Sequence, residues 1–245
     1  MTVVSETKVV ILLLGMMVAD GAMTSPYVPE ALERNTSSRL AAIGQRLLFG
    51  GIRMIFWSWT ITEAAAALSA SELCPHLIRQ LIAKLLISVF SLSRANSQTG
   101  TLSPSFSAGA CLVIVGSLIR RHCYRILGHF FTFELSIRKD HKLITSGPYS
   151  IVRHPSYLGA ICMLVGSVLC AFDRKSWIVA SSGLFPHDEV SSTRTLWFLR
   201  ALALSLSSLA LGRMNNEDAM LERTFGKEWR AWVEKVPYKL IPGVY

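Results

Sequence analysis

Several familiar catalytic signatures are missing from this chain. No Gly-x-Gly-x-x-Gly follows a strand-like run, which argues against a soluble Rossmann-type methyltransferase. There is no His-Glu-x-x-His and no Gly-x-Ser-x-Gly, so the obvious metalloprotease and hydrolase readings fall as well. Cys74, Cys111, Cys123, Cys162 and Cys170 show no paired metal-ligand spacing and read as packed thiols. Charged residues make up only 17% of the chain, and its formal net charge of +9 is not gathered into a basic domain with interleaved aromatics, which argues against nucleic acid as a partner.

What is present is apolar surface. Of the 245 residues, 51% are hydrophobic, and the mean hydropathy of +0.40 is too high for an ordinary soluble globule. Spanning a bilayer takes about 20 mostly apolar residues. Windows at 8–23, 48–69, 77–93, 106–119, 155–172 and 195–212 approach that length. The expected fold is therefore all-α, a polytopic integral membrane protein with about five or six transmembrane helices. The first window, KVVILLLGMMVADGAM, has a Lys ahead of an apolar core, as a signal sequence does. Asp20 follows that core without a small-residue cleavage site, so it reads as a retained helix. Asn35-Thr36-Ser37 fits the glycosylation sequon, which matters only if its loop faces the lumen.

Two regions divide the chain. Residues 1–120 read as scaffold helices without an internal repeat, and residues 121–245 carry the chemistry. Arg120, Arg121, Arg125, Arg138, Lys139, Lys142 and Arg153 crowd around the semi-apolar GHFFTFELSI, and the positive-inside rule makes that stretch cytosolic. If the window at 155–172 runs away from the cytosol, the window at 195–212 runs back and returns Arg213 to the side of Arg153. Beyond it, Met220, Leu221, Thr224, Phe225, Trp229 and Trp232 recur at helical spacing, an amphipathic helix on or near the membrane surface. Ionisable groups brought together at a membrane face are functional candidates.

Each cluster has a plain structural reading. Gly147-Pro148 marks a turn, Pro155 suits a first helical turn, and Arg153-His154 could anchor to lipid headgroups. Arg213 and Glu217, four apart, could be a solvated helical ion pair, although Arg before Glu is the weaker order. His141 beside basic residues could be a surface residue. The functional reading places an anionic group at the turn and helix start, where backbone donors are unpaired.

The joint pattern decides between them. His141-x-Leu-Ile-Thr-Ser-Gly147-x-Tyr149, Arg153-His-Pro-Ser-Tyr157-x-Gly159, Arg213-x-x-x-Glu217-Asp218-x-x-Leu-x-x-x-Phe225-Gly-x-x-Trp229 and Val236-Pro-Tyr-x-Leu-Ile-Pro242 occur in that order. From about Gly116 to Tyr245 the chain thereby resembles the isoprenylcysteine carboxyl methyltransferases, which methylate the C-terminal carboxylate of prenylated proteins. The resemblance implies S-adenosylmethionine as methyl donor, held by Glu134, His141, Lys142, Leu143, Ile144, Gly147, Tyr149, Arg153, His154, Pro155, Ser156, Tyr157 and Glu217. It implies Arg213, Glu217 and Asp218 as the catalytic set, with Arg213 on the substrate carboxylate. The acceptor would be a farnesylated or geranylgeranylated C-terminal cysteine from CaaX processing. The enzyme would sit in the endoplasmic reticulum membrane with its site facing the cytosol. Asp218 stands where the family usually has a second Glu, and Trp229 where it often has Tyr. The 173–195 segment is longer than the family's tight helical hairpin.

The chemistry suits such a site. Methyl transfer from a sulfonium is an in-line displacement, so alignment and water exclusion matter most. A terminal carboxylate is already ionised, with a reference pKa of about 3.3 to 3.7, and needs no base. Glu217 then suits the donor's cationic end rather than proton abstraction. A phospholipid N-methyltransferase would share the donor half but need a base for its amine. An NADPH-dependent sterol reductase and a non-catalytic membrane adaptor are the remaining readings.

Overall fold

In a computed structural model, described for residues 2–24, 39–90, 100–131, 141–186, 188–207 and 209–245, every regular element is helical and no strand occurs among the described residues. Glu134, Arg138, Lys139 and the sequon at 35–37 lie outside them. The helices are α1 (Thr2–Met23), α2 (Arg39–Ser69), α3 (His76–Phe90), α4 (Pro104–Leu127), α5 (Pro155–Ala171), the single-turn α6 (Trp177–Ala180), α7 (Glu189–Ser207), α8 (Leu209–Phe225) and α9 (Lys227–Lys235). The apolar windows fall on α1, α2, α3, α4, α5 and the α7 and α8 stretch, except that 91–93 and 208 lie outside the described residues and Phe172 lies one residue past α5.

Among the described residues, one helical stretch is long and apolar enough to cross a membrane, Pro104–Phe130. Pro104 opens it, where a missing N–H costs nothing. Its 27 residues exceed the hydrocarbon thickness. Ile114, Val115 and Leu118 are exposed on it, and so is Cys111, which therefore departs from the packed-thiol expectation that Cys74, Cys123 and Cys170 satisfy. α5 is apolar but shorter, and α1 and α2 carry ionisable residues within their length.

The chain forms two compact units. In the first, made of residues 1–19, 54–114 and 163–205, Leu12, Ala64, Phe106, Ala110 and Cys170 form the core. A buried ion pair sits in it: Lys8 Nζ meets Glu63 Oε1 at 2.6 Å, each side chain 1% exposed. Glu63 Oε2 accepts from Ser176 Oγ at 2.9 Å and from the Trp177 N–H at 2.7 Å. One carboxylate thus ties α1, α2 and the start of α6. That gives the long 173–195 segment a structural task, because α6 is seated by Glu63. Here α4 and α5 touch backbone to backbone, since a Cβ on Gly109 would lie 2.6 Å from the Gly166 carbonyl oxygen.

The second unit comprises residues 20–53, 115–162 and 206–245. Arg120 Nε donates to the Ala22 carbonyl at 3.0 Å and its Nη1 to the Ser156 carbonyl at 3.1 Å, while the Tyr124 hydroxyl also donates to Ala22. The end of α1, whose last carbonyls lack helical partners, is satisfied this way. Cys123, Tyr149, Trp229, Trp232 and Val236 form the core, with Leu143, Ile144, Leu221 and Phe225 packed against it. The aromatic face of the C-terminal helices thus packs inside the unit. Gly226, between α8 and α9, has φ 51°, a positive value that glycine tolerates.

Candidate functional site

All the described candidate residues fall in the second unit. Residues 141–146 run without regular structure into a tight turn at Gly147–Ser150. Gly147 has φ +62°, and a Cβ there would stand 3.3 Å from Ile126 Cγ1, so both backbone and space call for glycine. Pro148 fixes the first turn and Ser150 Oγ closes it on the Gly147 carbonyl at 2.7 Å. Tyr149 is buried, and its carbonyl accepts from Trp232 Nε1 at 3.2 Å. Burial first, then the Cys123 sulfur, holds its phenol well above the ordinary tyrosine range. It remains a neutral anchor.

His141 stacks obliquely between Phe130 and Phe225, with ring centroids 4.8 Å and 5.8 Å away. Leu143 and Ile144 lean on the core, whereas Lys142 is exposed. Ser156 is buried.

Two connected hydrogen-bond groups occupy the junction of α5 and α8. In one, Arg213 Nε donates to the Tyr157 hydroxyl at 2.9 Å, and that hydroxyl donates to Glu217 Oε2 at 2.8 Å. A phenol therefore bridges the two residues that the sequence shows only as a pair four apart. In the other, Asp218 Oδ1 lies 2.7 Å from His154 Nε2, and Oδ2 takes Arg153 Nη1 at 3.2 Å with Lys239 Nζ at 3.4 Å. Burial opposes ionisation of Asp218, but the hydrogen bond from His154 and the charges of Arg153 and Lys239 outweigh it and hold the carboxyl below its ordinary range. The His154 ring stands edge-on to Tyr157, with centroids 5.6 Å apart, which places the groups side by side.

Among the described residues, Arg153, Arg213 and Lys239 thus face Asp218 and Glu217, an excess of positive charge. Arg153 Nε is buried and has no acceptor among the described residues. Such a site suits a ligand that carries a carboxylate. The structure joins Arg153, His154, Tyr157, Arg213, Glu217 and Asp218, while Lys142 is exposed. It adds Lys239, Asn215 and Trp232, which the motifs do not single out. Lys239 is the unspecified position of Val236-Pro-Tyr-x-Leu-Ile-Pro242.

Residues 109–185 match the isoprenylcysteine carboxyl methyltransferase (ICMT) family. Protein-S-isoprenylcysteine O-methyltransferase B of Arabidopsis thaliana is 27% identical over 133 residues, 53% of this chain and 55% of the relative. The Saccharomyces cerevisiae protein-S-isoprenylcysteine O-methyltransferase is 33% identical over 95 residues, 38% of this chain and 37% of that one. A Delta(14)-sterol reductase of Mus musculus is 29% identical over 105 residues, 42% of this chain but 20% of its own length. The chain spans about half the length of the plant methyltransferases it matches. Through this region the chain is similar to the isoprenylcysteine carboxyl methyltransferase family.

Proposed function

We propose that the protein methylates the C-terminal carboxylate of farnesylated or geranylgeranylated cysteine in CaaX-processed proteins, with S-adenosylmethionine as donor. The observation that carries this is the phenol bridge between Arg213 and Glu217, set beside Arg153 and His154 in a chain similar to this family. The donor supplies an activated methyl on a cationic sulfur and carries a carboxylate of its own. His141, Lys142, Leu143, Ile144, Gly147, Tyr149, Arg153, His154, Pro155, Ser156, Tyr157 and Glu217 would hold it. The residues fit: Arg153 Nε is a buried donor that lacks an acceptor among the described residues, and Glu217 offers a carboxylate to a cation.

Arg213 orients the acceptor carboxylate, whose charge matches the positive excess of the site. No residue needs to remove a proton, because the acceptor is already ionised at neutral pH. Tyr157 sets the spacing of Arg213 and Glu217 and so aligns acceptor with methyl, the main requirement of an in-line displacement. A phospholipid N-methyltransferase fits less well, since three cations would face a cationic headgroup. The mouse sterol reductase match supports a second, reductase-type reading, but it spans a fifth of that protein.

The proposal extends to about five or six transmembrane helices in the endoplasmic reticulum membrane, with the site toward the cytosol. Membranes containing the protein, incubated with methyl-labelled S-adenosylmethionine and N-acetyl-S-farnesylcysteine, should yield base-labile methyl ester. Label in phosphatidylethanolamine derivatives alone would move the assignment to the phospholipid enzyme. No label in correctly folded protein would favour the reductase or a non-catalytic role.

A further inference from the structure

The last residues of the chain have no part in the reaction outlined above, yet they close on the site from one side. Arg153 and His154 lie between the turn at Gly147–Ser150 and α5, outside any helical ladder, so their amides need acceptors elsewhere. They find them in the tail: the Arg153 N–H donates to the Tyr238 carbonyl at 2.9 Å and the His154 N–H to that of Lys239 at 2.8 Å. Arg153 Nη2 adds the Pro237 carbonyl at 3.1 Å. The tail is itself tied down, since the Leu240 and Ile241 amides donate to the Tyr245 carbonyl at 2.8 and 2.9 Å.

The Lys239 side chain reaches α8. Its Nζ donates to Asn215 Oδ1 at 2.5 Å and lies 3.4 Å from Asp218 Oδ2. An ammonium has three donors on a compact charge, which lets one residue serve an amide and a carboxylate together. Asp218 therefore gathers donors from both sides, His154 and Arg153 from the segment before α5 and Lys239 from the tail. His154 then packs edge-on against Tyr157, whose hydroxyl holds Arg213 and Glu217.

The geometry points to Lys239 as a positioning residue: through Asp218 it fixes the His154 ring, and through that ring the Tyr157 phenol that sets Arg213 and Glu217. This rests on the methyl-transfer reading and deepens it. Lys239 touches none of the reacting groups, so its influence runs through Asp218. A lysine that merely secured the tail would act independently of Asp218.

The test uses the full chain in detergent micelles with Lys239→Met, Lys239→Arg, Asp218→Asn and the Lys239→Met/Asp218→Asn double variant. Lys239→Met should lower kcat roughly tenfold while KM for the methyl donor stays within about threefold, because a small misplacement costs rate more than binding. Lys239→Arg should recover most of that loss. In the Asp218→Asn background Lys239→Met should cost less than about twofold, the coupling expected of two residues acting through one contact. Losses that multiply in the double variant, or wild-type kcat in Lys239→Met, overturn the inference.

Amide hydrogen exchange at residues 153–157 separates it from the reaction itself. Faster exchange confined to those residues in Lys239→Met and in Asp218→Asn upholds the positioning path even if the wild-type protein transfers no methyl. That last result would sink the methyl-transfer reading alone. Unchanged exchange in both variants would sink the positioning path.

Discussion

The Tyr157 hydroxyl, standing between Arg213 and Glu217, changes what each can do. A direct Arg–Glu pair would neutralise the cation; a phenol that accepts from Arg213 and donates to Glu217 leaves both charges ordered. Arg213→Ala should therefore cut transfer by more than about a hundredfold, as loss of an electrostatic anchor in an active site does. Donor affinity measured by calorimetry should remain within about threefold, because the proposed role of Arg213 is to hold the acceptor. Wild-type turnover in that variant would sink the acceptor assignment. Tyr157→Phe should lower kcat about tenfold, since a ring of the same shape keeps the packing and loses only the bridge; an unchanged kcat would show that the two charged groups need no spacer. Asp218 gives a pH prediction. Its folded pKa is depressed, so it contributes stability above the ordinary carboxylate value of about 4 and loses that contribution as pH falls through its lower folded value. The melting temperatures of wild type and Asp218→Asn should differ at neutral pH and draw together as the pH falls below the ordinary carboxylate value. A gap that persists there would mean the Asp218 charge is not what matters. At this scale the motifs were legible, because Gly147, Pro148 and Pro155 announce turn and helix start by their own backbone restrictions. The Tyr157 bridge was not, because spacing along a chain says nothing of a third residue inserted from another helix. Lys239 was invisible for a related reason: its side chain serves a carboxylate some twenty residues away in sequence.

Elements here are placed by close approach as much as by apolar faces. A Cβ on Gly159 would lie 2.6 Å from the Gly116 carbonyl oxygen and 2.8 Å from Arg120 Cγ. α5 consequently carries Tyr157 along a path that α4 dictates. Gly159→Ala should destabilise the protein by about 1–3 kcal/mol, the usual cost of overpacking. Gly15→Ala in α1, where an added Cβ meets nothing within 4 Å, should be neutral or mildly stabilising, as alanine favours helices. Thermal melts in detergent compare the two; equal effects would show that the α4–α5 approach has slack. Hydropathy located these helices well, but it could not distinguish a helix that faces lipid from one whose glycines face another backbone. Nor could it find the seat of α6, because Glu63 reads as an isolated charge in an apolar window until Ser176 and the Trp177 amide are seen on it.

Orientation in the membrane is a property of the whole molecule, and on the proposed reading the excess of basic residues sets it. Arg120, Arg121, Arg125, Lys142 and Arg153 are concentrated around the segment that leads into the site, and segments rich in Lys and Arg stay on the cytosolic side during insertion. A methyl donor made in the cytosol and an acceptor carboxylate on a lipid-tethered chain would both reach the site from that side. Lys142 and Arg223 are exposed and lie on either side of the site in sequence, one before the turn and one near the end of α8. In a variant whose native cysteines are replaced, Lys142→Cys and Arg223→Cys should both react with a membrane-impermeant maleimide added outside sealed microsomes, without detergent. Labelling of one position but not the other would break the shared orientation that the return of Arg213 to Tyr157 demands. Protection of both until detergent is added would turn the site to the lumen, and the basic residues would then need another explanation.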